Sequence, residues 1–241
     1  MTTLRVLEIF DSLQGEGYWT GVPMTFVRLA GCNAPELGLG CTQWCDTPGS
    51  WGVRGGEELD VDDIVGRVRL PRLCITGGEP LLQAVGVADL LSAAQRREIR
   101  VHIETNGTLD PPAGAPHGGS DVHTQAAPPP GGANDLPRFD WAVVSPKPPH
   151  YVIAPGWDGL VDELKLIVDD RLDAATAERL AASHPEAFVS IQPVWEEAPS
   201  AAAPGPETGH GGASVERAVA LVMAHPDWRL SLQTHKSLGI R

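Results

Sequence analysis

Short β-branched runs alternate along the chain with stretches whose apolar residues recur at helical spacing. The runs Arg5–Phe10, Thr25–Leu29, Leu73–Thr76, Arg100–Glu104, Trp141–Ser145, Glu163–Val168, Phe188–Gln192 and Arg229–Gln233 read as strands. Between several of them the period changes. After Asp60, residues Val61, Ile64, Val65 and Val68 fall at i, i+3, i+4 and i+7, and Val87, Leu90, Leu91 and Ala94 repeat the spacing, so each set lays one apolar stripe along a helix. A third helix is predicted after Ser214, a suitable N-cap, with Val215, Ala218, Val219 and Val222 on its inner face. Strands alternating with amphipathic helices imply right-handed βαβ units and a mainly parallel sheet, curled or open. Two stretches interrupt the alternation, at about 110–137 and 196–212. Both are rich in Pro, Gly, Ala and Ser and without period, so they are expected to be mobile surface insertions in a single domain spanning 1–241. Their histidines, His117, His123 and His210, have no ligand types nearby and read as exposed loop residues.

Composition narrows the function classes. No apolar run approaches the 18 or so residues that cross a bilayer, which excludes a membrane span. The start, with Arg5, Glu8 and Asp11, does not read as a secretory signal, so a cytoplasmic protein is expected. The 18 Lys and Arg against 31 Asp and Glu give a net charge of -13, which disfavours binding along a nucleic acid. Three of the four cysteines, Cys32, Cys41 and Cys45, crowd into one segment, while Cys74 sits in an apolar run and reads as a small buried hydrophobe. This pattern is a metal or cluster site in a reducing compartment, not a disulfide framework. Three thiolates on one loop suit a structural zinc lacking its fourth ligand, an iron-sulfur cluster with one iron left open, or no shared role at all.

Polar and glycine-rich strings follow four of the strands: Thr76-Gly77-Gly78-Glu79-Pro80, Thr105-Asn106-Gly107-Thr108, Ser145-Pro146-Lys147 and Gln233-Thr234-His235-Lys236. In a parallel α/β fold these strings meet at the carboxyl rim, where sites form. The three-cysteine loop with Trp44 before its last cysteine, followed after the next strand by Gly77-Gly78-Glu79-Pro80, resembles the radical S-adenosylmethionine (SAM) superfamily. The spacing, eight residues between Cys32 and Cys41 and three between Cys41 and Cys45, is wider than is common there. Gly38 and Gly40 give the longer loop freedom to fold back. Glycine at 77 and 78 would let the backbone approach the amino-acid end of SAM.

Nearly end to end outside the insertions, the chain is similar to the 7-carboxy-7-deazaguanine synthase family. The likeness is carried by Glu8-Ile9-Phe10, Gln14-Gly15-Glu16-Gly17, Phe26-Val27-Arg28-Leu29, Gly31-Cys32-Asn33, Cys45-Asp46-Thr47, Glu104-Thr105-Asn106, Glu163-Leu164-Lys165, Gln192-Pro193 and the strings above. The resemblance implies an incomplete TIM-like (β/α) barrel of about six parallel strands with an N-terminal strand extension, working as a homodimer. It implies a radical-SAM carbon-nitrogen lyase that converts 6-carboxy-5,6,7,8-tetrahydropterin to 7-carboxy-7-deazaguanine with loss of ammonia. That reaction belongs to queuosine biosynthesis, a tRNA modification pathway, and takes its electron from a donor such as a flavodoxin. Carried over by residue, Cys32, Cys41 and Cys45 would hold a [4Fe-4S] cluster and Thr47 a magnesium ion. Trp44, Cys45, Asp46, Gly78, Ser145, Pro146, Lys147 and Gln192 would hold SAM. Leu13, Gln14, Gly15, Arg28, Thr76 and Arg241 would hold the pterin, Arg28 through its carboxylate; the family often ends in proline where this chain has Arg241. No catalytic residue is expected beyond the cofactor ligands.

Plainer readings stand beside these. Gln14–Gly17 alone reads as a turn, His102 as a satisfied core histidine and His235 as either a surface residue or a substrate contact. Two other functions share parts of the pattern: a radical-SAM activating enzyme acting on a protein, and a non-catalytic metal-binding module. All three lysines of the chain, Lys147, Lys165 and Lys236, fall within the quoted strings, which suggests that lysine is kept where it is needed.

Overall fold

The computed structural model describes residues 2–112, 139–196, 209–210 and 212–241. Most of both expected insertions, with His117 and His123, lies outside the described residues. Nine strands form one sheet in the order β11-β8-β7-β6-β5-β4-β2-β1-β3. The N-terminal extension is β1 (Thr3–Leu13), antiparallel to both β2 (Pro23–Leu29) and β3 (Glu57–Asp60). From β2 onward every pairing is parallel, through β4 (Arg72–Gly77), β5 (Arg100–Thr105), β6 (Trp141–Val144), β7 (Glu163–Val168), β8 (Phe188–Pro193) and β11 (Arg229–Leu230). The sheet is therefore an open, incomplete barrel with edges at β3 and β11.

Helices α1 (Val61–Gly66) and α2 (Ala84–Gln95) stand where the apolar spacing places them, though α1 stops short of Val68; α3 (Ala174–Ser183), which that spacing does not pick out, is followed by α4 (Gly212–Ala224) at its expected place and by the short, unexpected α5 (Thr234–Leu238). Two expectations need correction. Ser214 is not an N-cap but lies inside α4, where its hydroxyl donates to the Val168 carbonyl and accepts from Val194 N at 2.9 Å, tying the helix to the ends of β7 and β8. The 196–212 stretch is not irregular at its feet, since β9 (Trp195–Glu196) pairs with β10 (Gly209–His210).

Alternation along the strands places the site. Val27, Leu29, Leu73, Ile75, Val101, Ile103, Val144, Leu164, Leu166 and Ile191 belong to the main core with α1, α2, α3 and α4. Their neighbours, one residue out of phase, face the other way: Arg28, Thr76, Glu104, Val143, Lys165, Ile167 and Gln192 line the barrel's cavity. At the amino ends of the same face sit Cys74, His102, Trp141 and Glu163, packed around a void of about 10 Å³. The strands β6 and β7 are buried throughout, as strands covered on both sides are, yet β7 carries Glu163 and Lys165. Those polar residues at core positions mark the inner face as functional.

Candidate active site

A cavity of about 260 Å³ opens at the carboxyl ends of the parallel strands. Leu13, Gln14, Gly15, Arg28, Cys32, Cys41, Trp44, Cys45, Asp46, Thr47, Thr76, Gly78, Ser145, Lys147, Gln192 and Arg241 all line it. Pro146 does not: it is buried, in the irregular segment between Ser145 and Lys147. His235 lines the cavity with its ring against Gly15, where a Cβ would stand 1.9 Å from Nδ1. Gln14–Gly17 is not itself a turn but an irregular segment that bends at Glu16 and Gly17 ahead of the turn at Tyr18–Thr20, and its Gln14, Gly15 and Glu16 form cavity wall.

The three cysteines come from one loop built on short 3-10 turns, Gly40–Gln43 and Pro48–Ser50. Cys32 accepts from Ala34 N at 3.5 Å, and Cys45 lies 3.8 Å from the Thr47 hydroxyl. Burial pushes the Cys32 thiol up to about 11, the neighbouring thiols and Glu79 adding to it; burial also raises Cys41, opposed by Lys147. Among the described residues no three His, Cys, Asp or Glu side chains converge on a single ion. Three thiols spread around one cavity wall suit a multi-iron cluster, whose ligands bind different irons, and soft thiolates are the donors such clusters take. Cys74, by contrast, is fully buried beside Met24 and Phe26.

The Gly77-Gly78 turn lines the cavity and also meets a packing demand. A Cβ on Gly78 would lie 2.3 Å from the Gly31 carbonyl oxygen and 2.6 Å from Cys32 Cβ; one on Gly77, where φ is +148°, would meet Leu29 O at 2.3 Å. Gly77 lets the end of β4 press against the end of β2, and Gly78 lets it press against the start of the cysteine loop. Glu79, wholly buried, locks the joint: its carboxylate accepts from Leu81 N at 3.0 Å, Thr105 Oγ1 at 2.8 Å and Asn106 N at 2.8 Å.

All three lysines line the cavity. Lys165 Nζ pairs with Glu16 at 2.6 Å, Lys236 Nζ with Asp46 at 2.8 Å, and Lys147 Nζ donates to Ser145 Oγ at 2.7 Å while lying 5.4 Å from the Trp44 ring. Burial alone would raise Glu16 and lower Lys165; Lys165, helped by Gln233 and His235, instead holds Glu16 down, and Glu104, Glu16 and Glu163 hold Lys165 up, so the pair is ionic. Lys147 is lowered by burial. Glu104 accepts from Gln14 Nε2 at 2.9 Å and Thr76 Oγ1 at 3.2 Å, orienting both. Arg28 pairs with Glu8 at 2.8 Å, which also holds Arg241 at 2.7 Å. Lys236 is marked by the scarcity of lysine, whereas the linking roles of Glu16, Glu104 and Gln233 are tertiary and carry no separate local signal. Trp195, which also lines the cavity, has none.

No family model matches the chain. It is 32% identical to the 7-carboxy-7-deazaguanine synthase of Synechocystis sp. over 98% of this chain and 93% of that protein. To the synthase of Caulobacter vibrioides it is 33% identical over 99% of both. The fold matches the crystal structure of QueE from Escherichia coli with a TM-score of 0.66 at 23% identity, covering 97% of this chain and 95% of that one. An open parallel barrel whose rim gathers three thiols and a diglycine turn is the core of a radical-SAM enzyme. Relatives this similar from end to end then fix the branch: the chain belongs to the 7-carboxy-7-deazaguanine synthase family. This sets aside the non-catalytic module and the protein-activating enzyme.

Proposed function

We propose that the cavity takes 6-carboxy-5,6,7,8-tetrahydropterin beside SAM and yields 7-carboxy-7-deazaguanine and ammonia, in queuosine biosynthesis. The observation that carries this reading is that three thiols, the diglycine turn, Arg28 and all three lysines surround one cavity. Cys32, Cys41 and Cys45 would hold a [4Fe-4S] cluster that leaves one iron for SAM, and together these groups supply the radical chemistry. The chain's own task is to bind, orient and exclude water.

The substrate carboxylate suits the Arg28 guanidinium, which Glu8 already holds from one side. Gln14, aligned by Glu104, and Thr76 face the ring, with Leu13, Gly15 and Arg241 completing the pocket. Lys147, held by Ser145 and 5.4 Å from the Trp44 ring, would meet the SAM carboxylate, with Asp46, Gly78 and Gln192 lining the same cavity. Thr47 offers a hard oxygen for a magnesium ion shared with the substrate. In this reading the electron donor is a flavodoxin-type protein, and the enzyme is a cytoplasmic homodimer of single-domain chains. Among the described residues no helix is long and apolar enough to cross a membrane.

Anaerobic reconstitution with iron and sulfide, then incubation with SAM, magnesium, dithionite and the carboxylated pterin, tests the reading by mass spectrometry. The deazapurine acid is expected, and Cys45→Ala abolishes it. Cleavage of SAM to 5′-deoxyadenosine with no deazapurine would retain the radical chemistry and overturn the substrate.

A further inference from the structure

We propose that Lys236 is a positioning residue that seats the end of the cysteine loop, holding Cys45 and Asp46 against α5 across the cavity mouth. The inference rests on reading Cys32, Cys41 and Cys45 as cluster ligands. Lys236 Nζ donates to Asp46 Oδ2 at 2.8 Å and to Gln233 Oε1 at 3.1 Å, and lies 5.4 Å from the Trp195 ring. Gln233 Nε2 donates to the same Asp46 oxygen at 3.2 Å and to Glu16 Oε1 at 2.7 Å. Behind them, Thr234 bonds the Gly15 carbonyl through both its N, at 2.9 Å, and its Oγ1, at 3.0 Å. The helix is therefore anchored to the loop after β1 and reaches from there to the residue that follows Cys45.

The loop needs such an anchor. Its regular structure is limited to 3-10 turns on either side of Trp44–Thr47, and both side-chain bonds to Asp46 come from Gln233 and Lys236. Lys236 also joins three chain segments far apart in sequence: the cysteine loop, the segment after β8 and α5. Its ammonium serves as a bracket, and a neutral residue of similar length keeps the packing on Trp195 but not the bond to Asp46.

The test reads the loop directly. Full-length apoprotein, reduced and anaerobic, is alkylated with iodoacetamide, and each cysteine is followed by peptide mass spectrometry, with buried Cys74 as reference. A half-exposed ion pair plus a cation-π contact corresponds to roughly a fivefold change in local opening. Lys236→Met should therefore label Cys45 about fivefold faster, leave Cys32 and Cys74 unchanged, and be restored by Lys236→Arg. After reconstitution, iron should pass to a ferrous chelator faster in Lys236→Met by a similar factor. Unchanged Cys45 labelling together with a raised KM for the pterin would overturn the proposal, making Lys236 a direct substrate contact. If labelling extends to Cys74, Asp46→Asn decides, since it cuts the same pair from the exposed side: Cys45-selective labelling supports the bracket and its absence overturns it. If the wild type takes up no iron and sulfide, the cluster reading fails, while the labelling still judges the bracket.

Discussion

Glu79 joins two strand ends through one carboxylate. It receives donors from Leu81, Thr105 and Asn106, and Asn106 in turn donates through Nδ2 to Asn33 Oδ1 at 2.8 Å, beside Cys32. Burial raises its pKa while those donors oppose the rise. Glu79→Ala strands three buried donors and is expected to cost about 3 kcal/mol, read from urea unfolding. Glu79→Gln should cost less, because the amide oxygen still accepts. Lys147 is a different case, a half-buried lysine that donates to a neutral hydroxyl. Lys147→Met should leave stability near the wild type and weaken SAM binding by about tenfold, the value of one charge-assisted bond, measured by equilibrium dialysis on the reconstituted protein.

At the scale of elements, the contact between β4 and the cysteine loop is the sharpest constraint. Gly78→Ala puts a methyl group into the Gly31 carbonyl and Cys32, so the strand end and the loop must separate. The circular dichroism of the folded sheet should persist while iron uptake on reconstitution falls severalfold, and retained iron content would contradict the packing argument. The strands from β4 to β8 were legible because each is a compact β-branched run, and α1 and α2 because their apolar spacing is strict. Three other elements were not. The edge strand β3 holds Glu57 and Glu58 in the open and exists by pairing with β1, and β9 with β10 exists by mutual pairing. Ser214 carries a capping residue's chemistry but spends it on the end of β7, a tertiary choice with no local trace. The helix α3 was readable in principle, with Asp173 capping Thr176 N at 2.8 Å ahead of Ala177 and Leu180. Within the site, the resemblance pointed to the cysteines, Gly78, Ser145 and Lys147, whereas the Lys165–Glu16 pair and the bonds of Glu104 to Gln14 and Thr76 needed the barrel to bring distant strands together.

Across the whole molecule, buried titratable groups set an acid limit to stability. Burial, reinforced by Asp140 and Glu163, pushes Asp162 up from 3.8 to about 7, and burial with Arg72 and Arg100 pushes His102 down from 6.5 to about 3. The signs differ. Folded Asp162 holds its proton more tightly than the unfolded chain does, so its contribution is present at low pH and is lost as pH rises from about 4 to about 7. The unfolded chain binds a proton at His102 that the folded one refuses, so that contribution is lost as pH falls below 6.5. Between pH 4 and 6.5 these two slopes oppose each other, so what Asp162 loses as pH rises His102 restores. Below pH 4 Asp162 no longer compensates, and Glu16, held low by Lys165, adds its own loss, so unfolding should steepen there. Asp162→Asn removes one slope while its amide oxygen can still accept from Ala142 N, the bond that Asp162 makes at 2.8 Å. The variant should therefore gain stability steadily from pH 4 to 6.5 and exceed the wild type above pH 7 by on the order of 2 kcal/mol. Urea midpoints measured from pH 3 to 8 check this: parallel curves for the two proteins would show that Asp162 ionises freely in the folded state.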